Sequence, residues 1–264
     1  MSGADEWREE VRREIEGAAV PWLTTLMVLD ETTSTQDIAR EIAQPGSVVI
    51  ARVQTAGRGR LGRRWEPTAG KGLAVSITIE AQTTQGPRLS VMSGLAALQA
   101  ARACLAQPTG RVSIKLGLRW PNDVVTRRLD GGPDRKVAGV LIERCDNLFV
   151  VGIGMNITQC EADWPPSLNA VSLRQLGANI TVGRAAAALL ASLTCCQNLS
   201  DEELAVSWNV ADTLTGRRCE FESAGHIHSG IVHGLHPLRG IELEDDLGNR
   251  QFLDAAVTTL LAVG

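Results

Sequence analysis

Residues 54–65 read QTAGRGRLGRRW, and the residue types in this stretch can do chemistry. Three glycines (Gly57, Gly59, Gly62) are interleaved with four arginines (Arg58, Arg60, Arg63, Arg64), directly after an apolar run from Val48 to Val53. Glycine lets backbone N–H groups approach a ligand closely, and arginine supplies permanently charged planar forks matched to phosphate and carboxylate. Like charges packed this densely repel unless an anion joins them, which favours an anion-binding loop over a merely solvated one. The glycines satisfy the GxGxxG spacing, but that fingerprint needs a helix opening on its third glycine. Pro67, Gly70 and Gly72 stand where that helix would run, so a dinucleotide-binding turn is rejected. Gly70-Lys71-Gly72 is no P-loop either, for it lacks the Ser or Thr and the upstream glycine.

Other polar residues stand at the ends of predicted elements. Ser34, followed by Asp37 three residues on, resembles a capping box opening a short helix. Ser34 and Thr35 either only cap that helix or also offer hydroxyls and free N–H groups to a polar ligand. Pro121 stops a strand predicted over Val112–Trp120, leaving Asn122 and Asp123 at its end. That is a common place for active-site groups, and an ordinary turn explains the three residues equally well. Lys136 opens the apolar strand KVAGVLIE, and Gly139, Gly152 and Gly154 fall in the same predicted hairpin. Glycines repeated in neighbouring strands suggest a flat ligand lying against the backbone. Four histidines (His226, His228, His233, His236) lack a carboxylate or cysteine at ligand spacing, so metal binding there is not expected.

These groups must be positioned by a sizeable core, which 264 residues can bury. Trp7, Val11 and Ile15 mark an amphipathic helix; strands follow at Thr24–Leu29, Val48–Val53 and Gly72–Glu80. A long apolar helix runs from about Arg88 to Leu105, with strands at Lys136–Glu143 and Leu148–Asn156 beyond a solvated connection at Arg127–Arg135. Helical segments are expected at Val171–Leu176, Thr181–Cys195 and Ser200–Leu214. After Thr215-Gly216 the composition changes to short alternating strands at 218–222, 230–236, 240–244 and 250–253, which predicts a small β-barrel. The expected division is therefore 1–215 and 216–264. A formal net charge of -4 argues against bulk attraction to nucleic acid. Six cysteines without metal or disulfide spacing, no signal-like N-terminus and no membrane-length apolar run point to a soluble cytoplasmic protein.

Five motifs in order carry a resemblance: TTSTQ at 32–36, QTAGRGRLGRRW at 54–65, RWPND at 119–123, KVAGVLIE at 136–143 and GIGMN at 152–156. Together they resemble the biotin–protein ligases, in the group without an N-terminal DNA-binding domain. The resemblance implies an α+β fold, a mixed β-sheet flanked by helices like that of class II aminoacyl-tRNA synthetases, with a small C-terminal SH3-like β-barrel. It implies that MgATP activates biotin to biotinyl-5'-AMP, and that biotin then passes to a lysine of a biotin carboxyl carrier domain. On this resemblance Ser34, Thr35 and Gln54 receive the ureido ring, while Arg58 and Arg60 close over the biotin carboxylate and adenylate phosphate. Trp65 packs by the nucleotide, Asn122 and Asp123 stand on the nucleotide and Mg²⁺ side, and Lys136 lies near the reacting groups. Gly57 and Gly59 belong to the closing loop; Gly139, Gly152 and Gly154 line the ligand, and Asn156 lies near the ATP phosphates. Arg119 departs from the usual lysine, keeping the charge but changing its shape. DNA and membrane are not expected partners, and a homodimer is left open. The nearest rivals are lipoate–protein ligases and octanoyltransferases of the same fold, and a biotin-binding regulator without catalysis.

Overall fold

The computed structural model describes residues 2–62, 64–65, 68–81, 86–105, 115–127, 133–165 and 168–264. Arg63, Pro67, the start of the strand expected from Val112 and the middle of the Arg127–Arg135 connection lie outside these residues.

A seven-stranded sheet organises the chain. Its members are β1 (Thr25–Thr32), β2 (Ser47–Gln54), β3 (Gly72–Glu80), β4 (Lys115–Arg119), β5 (Asp123–Arg127), β6 (Lys136–Cys145) and β7 (Leu148–Asn156), in the order β1-β2-β3-β7-β6-β5-β4. Only β1 and β2 pair in parallel; the other ladders are antiparallel, so the sheet is mixed. Successive side chains of a strand point to opposite faces, and here the two faces differ in residue size. Leu73, Val75 and Ile77 of β3, with Val151, Ile153 and Met155 of β7, enter one buried cluster. That cluster also holds the apolar sides of α1 (Gly3–Glu16), α3 (Gly86–Leu105) and α4 (Val182–Cys196). The alternate positions are small: Ala74 and Ser76 pair with Gly154 and Gly152, and Gly154 pairs in turn with Gly139. This second face is only partly covered, by α2 (Thr35–Ile42), whose Ala39 packs on Val49 and Val150. Large residues thus build the core on one side, and small ones leave a hollow on the other.

The helix α5 (Asp201–Ala211) opens on a full capping box between Ser200 and Glu203, and Trp208 buries against Gly94 of α3. It ends three residues before the expected Leu214. Val171–Leu176 is not helical: the chain makes a turn at 173–177. At α2, Ser34 caps the Gln36 N–H, but Asp37 does not complete a box because its carboxylate binds arginines instead.

The C-terminal strands are β8 (Arg218–Ser223), β9 (His226–His236), β10 (Gly240–Glu244), β11 (Arg250–Asp254) and β12 (Thr258–Val263). They form one antiparallel sheet in the order β11-β10-β9-β8-β12. The expected β-barrel is therefore incorrect: β11 and β12 are the two ends of the sheet, with no ladder joining them. Short strands and turns predict how many strands there are, but closure requires the first and last to meet. Instead, Phe221, Val232, Leu235, Ile241, Leu243 and Leu253 of this sheet join the main hydrophobic cluster. Trp120, buried at the end of β4, donates its indole N–H to the Pro237 carbonyl at 3.2 Å and meets Phe221 edge to face, with 6.4 Å between ring centroids. Among the described residues no helix is long and apolar enough to cross a membrane.

Candidate functional site

The hollow on the small-residue face continues into a cleft of about 930 Å³ running from α2, across β3, β7, β6 and β5, to β12. That is the size of a site for a small organic ligand. At one end, buried Thr35 gives both its backbone N–H (2.8 Å) and its hydroxyl (3.0 Å) to Gln54 Oε1. Ser76 Oγ lies 2.8 Å from Thr35 Oγ1 and must donate to it, because the threonine proton is already committed. Both Thr35 donors converge on the amide oxygen, so the Gln54 NH₂ is the group left to donate. Gly57 is required beside it: a Cβ there would lie 1.9 Å from the Trp65 carbonyl oxygen and 2.6 Å from Gln54 Nε2.

The arginine loop is folded back on itself. The Trp65 N–H donates to the Gly57 carbonyl at 2.9 Å, Arg58 and Arg64 form an antiparallel bridge, and Arg60–Gly62 makes a short 3₁₀ turn. Arg58 is held by two carboxylates. Its guanidinium donates to Asp37 at 2.8 and 3.0 Å and to Glu143 at 3.1 and 3.3 Å. Hydrogen bonds donated to Asp37 and then Glu143 push the Arg58 pKa upward, and the Arg58 contact holds Asp37 below its ordinary value. Arg60 differs. It is half-buried, donates to Asn122 Oδ1 at 3.3 Å, and has no carboxylate within ion-pair distance among the described residues. Burial accordingly lowers its pKa, opposed by the more distant charge of Asp123.

Deeper in the cleft, Asp123 Oδ1 meets Lys136 Nζ at 2.6 Å and Oδ2 meets Arg119 at 2.9 Å. Burial alone would raise the Asp123 pKa, but Lys136 and then Arg119 hold it below its ordinary value. Asn122 is pinned by its amide N–H on the Val140 carbonyl, and Asn156 by its own on the Lys136 carbonyl at 3.1 Å. Arg60, Arg119 and Lys136 thus surround one carboxylate, leaving a surplus of positive charge in a partly desolvated cleft. Such a cluster can stabilise charge gathering on a phosphate and a carboxylate brought together.

The predicted site residues line this cleft, except Ser34, which is buried as the α2 cap, and Gly57, which packs behind it against Trp65 and Gln54. The three strand glycines line the cleft and also make room for neighbouring side chains. Each is covered by one of the chain's own side chains: Gly139 by Lys136, Gly152 by Gln36 and Gly154 by Trp65. A Cβ at these positions would lie 2.5, 2.9 and 2.1 Å from the covering side chain. Sequence reading also missed Ser76, Gln36, the Arg58 partners Asp37 and Glu143, and β12, whose residues 259–263 line the far end with Arg217 and Trp164. Alternation of small and large residues in β3 and β7 was the available signal for Ser76.

The biotin/lipoate A/B protein ligase family model matches residues 26–158. A biotin–[acetyl-CoA-carboxylase] ligase of Mycobacterium tuberculosis is 31% identical over 227 residues, covering 81% of this chain and 80% of that protein. The bifunctional ligase/repressor BirA of Bacillus subtilis is 31% identical over 163 residues, 57% of this chain but only 46% of BirA. Among solved structures, the Aquifex aeolicus biotin protein ligase in complex with biotin and ATP superposes with a TM-score of 0.73 at 24% identity, covering 90% of this chain and 99% of that one. At that identity the superposition speaks for the fold.

Proposed function

The chain belongs to the biotin/lipoate A/B protein ligase family, and we propose from that footing how its residues divide the reaction. It is an ATP-dependent biotin–protein ligase, which activates biotin with ATP and transfers it to a carrier protein. The observation that carries the residue assignment is the cation surplus around Asp123, beside a neutral hydrogen-bonding pocket.

In the pocket, the Gln54 NH₂ donates to the ureido carbonyl, with Thr35 and Ser76 fixing the amide and Ser34 holding the helix start. A dithiolane or alkyl chain would leave those buried polar groups unpaired, and such sites reject ligands lacking the matching group. Lipoate and octanoate are therefore disfavoured. The biotin carboxylate then lies toward Lys136. Its oxygen attacks the α-phosphorus of ATP, the bond to the pyrophosphate oxygen breaks, and biotinyl-5'-AMP forms. Both reactants are anionic, and Lys136, Arg60 and Arg119 offset the charge that gathers at phosphorus. Trp65 and the 57–65 loop exclude water from the mixed anhydride. In the second step a carrier lysine amine attacks the acyl carbon and AMP leaves.

Mg²⁺ fits this donor set only as a companion of the nucleotide. The cleft offers Asp123 beside the cations and no cluster of carboxylates, histidines or cysteines among the described residues. Mg²⁺ keeps most of its shell as water and phosphate oxygen and needs one or two protein carboxylates. Asp123 is the residue that would hold it, and the ion would supply neutralisation of the triphosphate. We further propose a biotin carboxyl carrier domain as acceptor, a cytoplasmic setting, and 1–215 as the catalytic unit with 216–264 as its appendix.

Biotin-dependent exchange between pyrophosphate and ATP, followed by label transfer to a carrier-domain lysine, tests the reading. Exchange supported equally by lipoate, or transfer without ATP, would refute it.

A further inference from the structure

The Arg58 contacts assign roles to two acidic residues given none by the motifs, Asp37 just beyond TTSTQ and Glu143 at the end of KVAGVLIE. We propose that Asp37 and Glu143 form a catch for the flap over the acyl adenylate, with Arg58 as its bolt. This rests on the reading that the 57–65 loop covers that intermediate. Asp37 comes from α2 and Glu143 from β6, over 100 residues apart in sequence, yet both carboxylates grip one guanidinium in a two-sided fork. Four of the five guanidinium N–H positions are engaged, leaving little for a ligand carboxylate. Arg40 completes the catch, reaching Glu143 at 2.9 Å and Asp37 at 3.3 Å. With Arg58 away, two carboxylates share one arginine and the catch is net negative; with Arg58 seated it is neutral. The open catch therefore attracts the bolt. Because Arg58 bridges Arg64 and Gly57 binds Trp65, docking Arg58 brings Trp65 onto Gly154 and Arg60 to Asn122 as one piece. Asp37 and Glu143 are positioning residues: they touch no reacting atom and act through Arg58.

The test separates retention of the intermediate from its formation. The full chain is loaded with labelled biotin and ATP, and escape of biotinyl-5'-AMP is followed by rapid filtration after a chase. Pyrophosphate exchange is measured on the same samples. The isosteric pair Asp37→Asn with Glu143→Gln should speed escape about tenfold, with exchange close to wild type, the size expected of a coupled network. Arg58→Ala should speed escape to a similar degree, and adding it to the carboxylate pair should bring little more. Arg58→Lys should not restore retention, because an ammonium cannot fork onto two carboxylates. Faster escape in Arg58→Ala but not in the carboxylate pair, or effects that multiply, would overturn the catch. Loss of exchange in the wild-type chain would instead overturn the ligase reading on which it stands.

Discussion

Gly139→Ala should disable catalysis while leaving the fold nearly untouched. An added Cβ would lie 2.5 Å from Lys136 Nζ, 2.7 Å from its Cε and 3.2 Å from Asp123 Oδ1. Ordinary contact requires about 3.5 Å or more, so the ammonium must retreat by roughly 1 Å. The 2.6 Å ion pair to Asp123 is then stretched or broken. The backbone of Gly139 is not in the left-handed region, and the displaced group is the far end of a flexible side chain. The pair is largely buried, but it is stretched rather than removed and Asp123 keeps Arg119, so the cost is on the order of 1–2 kcal/mol, against about 0.4–1 kcal/mol that Gly→Ala returns by restricting the unfolded chain. Net stability should fall by only about 1 kcal/mol. A misplacement of about 1 Å at a reacting centre, by contrast, costs on the order of 10²-fold in rate, or about 2.7 kcal/mol of barrier. Pyrophosphate exchange at saturating biotin and ATP, run beside a thermal melt, measures both quantities. A wild-type exchange rate in folded Gly139→Ala would refute the assignment of Lys136 Nζ to its place over Gly139.

Arg60→Ala removes a half-buried cation without an ion-pair partner among the described residues, so adenylate should escape about tenfold faster or more, read by the same filtration chase. Gln54→Leu should raise the KM for biotin about 10²-fold with the KM for ATP unchanged, because it removes the donor aimed at the ureido carbonyl. Acid stability carries a further expectation. Asp123 is held below its ordinary value of 3.8, so its contribution is present above that pH and disappears as pH falls through the lower folded value. Arg119→Gln removes one of the charges that depress it, so acid unfolding followed by circular dichroism should begin at a higher pH than in the wild-type chain.

Much of the site is legible in the sequence because its chemistry depends on residue type. Arginines among glycines, a lysine opening an apolar strand and Asn-Asp at a strand end each announce themselves locally. Their interpretation depends on what fills the surrounding space. Gly139, Gly152 and Gly154 do mark a hollow, but Lys136, Gln36 and Trp65 occupy it, and a string of letters shows the space without its occupant. Asp37 looks like half of a capping box, and Arg58 claims it only because the loop folds back across α2. The Glu143 contact is long-range and has no local mark. In the C-terminal part, turns separate the first four strands clearly, whereas Thr258–Val263 lacks polar alternation and escapes notice. Whether the first and last of those strands meet is a long-range matter that no local pattern encodes, as is the contact of Phe221 and Pro237 with Trp120.

The central claim is that the cation cluster at Asp123 drives carboxylate adenylation, and it is tested most directly by isotope exchange between pyrophosphate and ATP in the wild-type chain and in Lys136→Ala. The wild-type chain should exchange only when biotin is present. Folded Lys136→Ala should fall by on the order of 10²–10³-fold, the usual loss for removing one charge-stabilising group. Exchange that needs no biotin, or that persists at the wild-type rate without Lys136, would contradict the account.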